Sequence, residues 1–175
     1  MLKLRKTLME NFFKFLVRQL DALVYGFVGP LTVLLIVPKY LLGKEKDWGI
    51  ILPIYEPIKY IGIFLMNFGG ILAIWCTLIM FLTKNAPSIF SKPQRIVQIG
   101  PYKVVRHPMM WALFFVLTGE VFAESSLFVL IWLVIFVRFS VIYIKQNEEP
   151  LLVSVFGEEY IGYCKKVPRW FPKFY

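Results

Sequence analysis

Residues 60–83 read YIGIFLMNFGGILAIWCTLIMFLT, 24 positions without one charged side chain. As a helix this stretch extends about 36 Å, more than the roughly 30 Å of a bilayer's hydrocarbon core. The rest of the chain points the same way. Its 175 residues are 58% hydrophobic and 18% aromatic, with mean hydropathy +0.66, above the apolar share of soluble domains. A single domain of this size cannot hide so much apolar surface, which excludes a soluble globular protein. It also excludes a disordered or nucleic-acid-coating chain, despite a formal net charge of +9. In a membrane protein, basic excess belongs to cytoplasmic loops and anionic lipid headgroups.

Upstream, 22–42 carries one charge, Lys39, and is long enough to span. Pro30 and Pro38 predict a kink there, or an end at the second proline. Before it, 8–20 puts Phe12, Phe13, Leu16, Val17 and Leu20 on one helical face and Asn11, Lys14 and Arg18 on the other. Such an amphipathic helix lies in the headgroup region or packs on the rest of the protein. It lacks the apolar core of a cleavable signal peptide. Downstream, 109–122 makes a helix of only about 21 Å, and 127–144 follows with Arg138 inside it. The short 123–126 connection predicts a tight helical hairpin with Glu120 and Glu124 near its tip. The fold expected is all-α and membrane-embedded, with about four transmembrane helices. An N-terminal amphipathic helix and a C-terminal interfacial helix complete it.

Basic residues set the expected orientation. Fifteen lie in the first 20 residues, between the second and third spans, and at the C-terminal side, against four around the first inter-span loop. Both termini and the middle loop are therefore expected in the cytoplasm. The membrane expected is the plasma membrane if the chain is prokaryotic and the endoplasmic reticulum if it is eukaryotic.

Polar residues concentrate in 84–108 and 146–175. His107, the sole histidine, precedes Pro108, which holds it extended and suits the first turn of the next helix. It could touch lipid phosphate, or act as a base or cofactor contact. Glu148 and Glu149 follow directly on a span, and Pro150 predicts a new helix starting there. Adjacent helical carboxylates point about 100° apart, so one is expected to face any given pocket. Such a group could hold an ammonium, neutralise a sulfonium, or cap the helix. Arg138 shares a face with 142, 145 and 149, and either snorkels to the headgroups or serves the site. Lys165, Lys166 and Arg169 suit anionic lipid. Cys76 and Cys164 form neither a disulfide framework nor a metal cluster, and a lone histidine leaves no multi-His site.

The two polar regions together resemble the integral-membrane methyltransferases that include isoprenylcysteine carboxyl methyltransferases and phospholipid N-methyltransferases. Residues 100–108, GPYKVVRHP, are similar to the family's G-P-Y-x-x-x-R-H-P. Residues 148–163, EEPLLVSVFGEEYIGY, followed by Val167, Pro168 and Arg169, resemble its E-E-x-x-L-x-x-x-F-G-x-x-Y-x-x-Y and basic end. The likeness covers 94–172. It departs at Met110, where the family usually has tyrosine, and at Ile144, where the carboxyl methyltransferases carry a substrate-binding arginine.

The resemblance implies one domain over 1–175, with N-terminal helices in 1–83 and a cofactor-binding catalytic core in 84–175. It implies S-adenosylmethionine as cofactor, released as S-adenosylhomocysteine. Gln94, Arg95, Ile96, Val97, Tyr102, His107, Pro108, Met110 and Glu148 would line the cofactor site. His107, Glu148 and Glu149 would be catalytic, and Arg138, Lys145 and Arg169 would bind substrate. A hydrophobic acceptor would arrive from the membrane lipids, with carboxyl O-methylation ahead of phospholipid amine methylation. An NADPH-dependent enzyme like the sterol reductases and a non-enzymatic membrane scaffold are the other readings. No nucleic-acid partner is expected, and the sequence leaves the oligomeric state open.

Overall fold

A computed structural model of the chain describes residues 9, 12–13, 28–50, 52–83, 93 and 95–172. The expected amphipathic helix over 8–20 and the site residue Gln94 lie outside the described residues. Those described are helical or irregular, with no strand among them. We label the helices α1 (29–48), α2 (Glu56–Leu82), α3 (Pro108–Glu124), α4 (Leu127–Phe156) and α5 (Glu158–Lys166). A 3-10 turn, Gly100–Lys103, precedes α3.

Two of these, α2 and α4, are long and apolar enough to cross a membrane. Phe64, Ile71, Trp75 and Leu82 on α2, and Val134, Ile135 and Phe139 on α4, are exposed. Apolar faces of that extent need lipid or protein against them. The third helix, at 17 residues, is about 25 Å long and still short of the hydrocarbon thickness.

Both prolines expected to break helices are instead carried through. The first helix continues past Pro38 to Trp48 and stops at Gly49, which adopts the left-handed conformation. The fourth does not end before Pro150; it runs on to Phe156. The same device operates twice. A wide π turn, Thr32–Ile36 or Ile144–Glu148, ends two residues before each proline. Proline lacks the N–H that would bond four residues back, and its ring crowds that carbonyl. Shifting the preceding ladder to i→i−5 bonds, as Val37 N–H to Thr32 O and Glu149 N–H to Ile144 O, opens the turn and relieves both. The predicted C-terminal interfacial helix is therefore divided. Its first part is the end of α4; Gly157, at φ +54, breaks the ladder, and α5 follows.

The second and third helices pack antiparallel and unusually close. A Cβ on Gly62 would lie 2.6 Å from the Gly119 carbonyl oxygen, and one on Gly119 would lie 2.5 Å from that of Gly62. One to two turns along, a Cβ on Gly69 would meet the Ala112 oxygen at 2.7 Å. Small residues thus let the two backbones touch, as membrane helix pairs require.

The expected hairpin forms between α3 and α4, turning on Ser125 and Ser126. Ser125 is left-handed, and the Ser126 hydroxyl accepts from Val129 N–H as the α4 cap. Glu45, on the last turns of α1, receives the Ser126 hydroxyl and accepts from Leu127 N–H at 2.7 Å. Leu52 N–H donates to Ser125 O at 2.9 Å. One end of the bundle thus gathers the end of α1, the residues before α2, and the hairpin tip. At the other end, 95–107 meets α5 and the tail.

Candidate functional site

The site is assembled by sewing the 100–108 loop to the C-terminal segment. Gly100, at φ +56, packs against Ile79 and Trp75 of α2, where a side chain would clash at 2.6 Å. The chain then turns once and buries Tyr102 against Cys76, Ile79 and Val97. The Tyr163 hydroxyl of α5 donates to the Tyr102 carbonyl at 2.7 Å. Arg106 N–H donates to Pro168 O at 2.9 Å. Trp111 Nε1 donates to Trp170 O at 2.8 Å. Held by these three bonds, His107 sits just before Pro108 opens α3, at φ −123 and ψ 60, outside the helical region but short of the extended conformation expected.

Around that point five charged or titratable side chains meet. Glu149, 9% exposed, is gripped from two sides. Arg106 Nη1 lies 2.9 Å from its Oε1, and Arg169 chelates both oxygens, with Nε 2.8 Å from Oε1. His107 lies between the carboxylates, its Nε2 3.4 Å from Glu149 and its Nδ1 3.5 Å from Glu148. Adjacent glutamates thus do reach one group, each on a different ring nitrogen, where a single face had been expected. The π turn over 144–148 widens the helix there and brings both to the imidazole. Because α4 does not start anew at Pro150, neither glutamate caps a helix there. Glu148 differs from its neighbour in being 39% exposed at the side chain, with His107 as its ion-pair partner.

Burial opposes protonation of His107, but the hydrogen bonds and charges of Glu148 and Glu149 outweigh it and raise its pKa. Paired with Glu149, Arg169 is held still more firmly protonated. Burial pushes the Tyr163 phenol up to about 12 and that of Tyr102 higher still. Both phenols therefore stay neutral.

The predicted site residues divide. His107, Pro108, Glu148, Glu149 and Arg169 come together, with Tyr102 one turn away. Met110 is on the first turn of α3, its N–H on the His107 carbonyl at 3.2 Å. Ile96 packs beside Tyr160, Tyr163 and Val167, Val97 is in the Tyr102 cluster, and Arg95 is exposed. Arg138 and Lys145 lie exposed on α4. The π turn rotates them off the face that carries Glu149, so the shared face expected of 138, 142, 145 and 149 is lost. Arg169, expected on substrate, is committed to Glu149. Sequence reasoning missed the part of Arg106, which also contacts the Cys164 sulfur, and of Trp170, whose ring centroid is 5.9 Å from that of His107. Only the Arg106–His107 adjacency signalled the first.

The phospholipid methyltransferase family model matches residues 58–159, more than half of the chain. The chain belongs to that family. Its apolar helices and this membership make it a membrane protein of a methyltransferase family. The match begins in α2 and ends at the start of α5, so it takes in His107 and both glutamates but not Arg169. No curated protein matches the chain.

Proposed function

We propose that the chain is a methyltransferase using S-adenosylmethionine, and that it methylates a carboxylate on a lipid-like acceptor. When bound, the cofactor supplies an electrophilic methyl group on a sulfonium. The donor set fits it: Glu148 offers a part-exposed carboxylate for an ammonium, and His107 an imidazole, its protonated form favoured by the two glutamates, for a carboxylate. Glu149, Arg106 and Arg169 hold His107 in place and neutralise one another. Beside them, Phe68, Leu72, Trp75, Trp111, Phe115 and Trp170 line an apolar groove of about 440 Å3 that also reaches Pro108. It would hold the acceptor's hydrocarbon and keep water from the transfer. On this reading 1–175 is one domain of about four spans, with 84–175 as its catalytic core and both termini cytoplasmic.

The observation that favours a carboxylate is His107 held between two glutamates. Both of its ring nitrogens face carboxylates, which leaves neither open to take a proton from an ammonium acceptor, and Glu149 is occupied by two arginines. An amine acceptor must lose a proton before attack, whereas a carboxylate is already nucleophilic. Phospholipid amine methylation is the alternative.

Calorimetry with S-adenosylhomocysteine on the detergent-solubilised chain tests the site. Micromolar binding is expected, and Glu148→Ala should abolish it without lowering Tm by more than a few degrees. Retained binding in that variant would sink the assignment. Transfer of labelled methyl to a prenylcysteine carboxylate, set against phosphatidylethanolamine vesicles, then decides the acceptor; methylation of the amine lipid alone would overturn the carboxylate reading.

A further inference from the structure

Away from the polar cluster, α1, α2 and α3 enclose a second groove of about 470 Å3, within the range of ligand sites. Pro30 and Leu34 of α1, Met66 and Gly70 of α2, and Val116 of α3 give it apolar walls. One carboxylate interrupts them. Glu120 lines the groove, is only 7% exposed, and its Oε2 has no hydrogen-bond partner among the described residues. It lies about 20 Å along α3 from His107, so this groove is separate from the methyl-transfer cluster.

A carboxylate buried in apolar surroundings keeps its charge only beside a cation or several donors. Among the described residues, the walls supply neither. The other polar lining side chain, Asn67, gives its amide N–H to the Ile63 carbonyl at 2.8 Å. Glu124, one helical turn on and on the same face, adds negative charge, and 108–137 contains no Lys or Arg. Leu35 and Ile63 at the groove's edge are exposed, which gives access from the bilayer's hydrocarbon. We propose that this groove binds a lipophilic primary amine, its chain along the apolar walls and its ammonium on Glu120. Charge complementarity selects the amine over a neutral or anionic amphiphile of the same length. The inference does not depend on the methyl-transfer reading.

Dodecylamine serves as probe and dodecanol as its uncharged match, with the full chain in nonionic detergent. Dodecylamine should raise Tm by several degrees at saturation, and dodecanol should not. Glu120→Gln should weaken amine binding roughly tenfold or more, the worth of a buried charge-assisted hydrogen bond. Gly70→Leu should block the groove without touching the carboxylate, since open space surrounds the position of its Cβ. S-Adenosylhomocysteine binding should be the same in both variants as in the parent chain. Equal amine affinity in Glu120→Gln, or equal response to dodecanol, would overturn the proposal. Should Glu120→Gln fail to fold, unchanged dodecylamine binding by Gly70→Leu would overturn it alone.

Discussion

Glu149 and Glu120 are buried almost equally, at 9% and 7% exposed, and their surroundings are opposite. Two arginines and a histidine surround Glu149, while Glu120 keeps an oxygen with no partner among the described residues. A carboxylate with its charge fully matched holds a structure together. One left unmatched stores a demand that a ligand or a proton must meet. Depth alone therefore says little about what a buried acid does; its partners say more.

The largest effect expected from this contrast is at Glu149. Glu149→Ala leaves Arg106 and Arg169 facing each other with no anion between them, and breaking such a pair costs about 3 kcal/mol. Thermal unfolding in detergent should show a large fall in Tm, with loss of S-adenosylhomocysteine binding because His107 is no longer held. Adding Arg106→Leu to Glu149→Leu should recover part of that fall, as an apolar replacement of the whole pair would. A Glu149→Ala chain as stable as the parent would mean that the two arginines are solvated rather than matched.

Glu45 sharpens the comparison as a third case. It is 4% exposed, and both its oxygens cap α4 through the Ser126 hydroxyl and Leu127 N–H. Its partners are backbone and hydroxyl donors at a helix N-terminus, where the macrodipole also favours an anion. Glu45→Ala should cost about 2 kcal/mol, the upper end for a lost cap. Hydrogen exchange should then rise first in 126–130, the opening turn of α4. Faster exchange spread evenly over the bundle instead would argue that Glu45 acts by packing and not as a cap.

How much of this could be read beforehand follows from which contacts are local. The uncharged run 60–83 and the short link 123–126 carry the membrane class and the hairpin in the sequence itself. The two polar motifs carry the family and the meeting of His107 with the glutamates, of which Glu149 is 42 positions away. The π turns are not legible, because Pro38 and Pro150 read as boundaries and only the continuing ladder reveals a helix widened around them. That error moved Arg138 and Lys145 onto the wrong face. Nor are Glu45 on Leu127, 82 positions away, or Gly62 against Gly119. Each depends on how close two helices approach, which no local pattern encodes. Arg169 was legible as a site residue, but its occupation by Glu149 was not.

Removing the unmatched carboxylate should have the opposite sign from removing the matched one. Glu120→Leu deletes a buried acid with an orphaned oxygen and puts apolar volume against Met66 and Val116, so it should stabilise the ligand-free chain by about 1 kcal/mol. Tm in detergent without added amine is the measurement. A fall comparable to that of Glu149→Ala would erase the distinction between the two acids and point to a partner for Glu120 in the folded chain.

The smallest effect is the pH dependence, and it concerns what matching does to the neighbour of Glu149. The folded-state pKa of His107 is raised above its ordinary 6.5 by the two glutamates, against the opposing effect of burial. A basic group with a raised folded pKa contributes stability that is fully present below its unfolded pKa and is lost as pH rises through the folded one. Tm should therefore be flat below about pH 6.5 and decline as the medium becomes alkaline. Since His107 is the sole histidine, His107→Gln should remove that slope while the slower trends of other groups remain. A slope of the opposite sign, with stability rising as pH climbs past neutral, would mean that burial prevails over the carboxylates. His107 would then be neutral at working pH and free to serve as a base, and the balance between acceptors would move toward the amine.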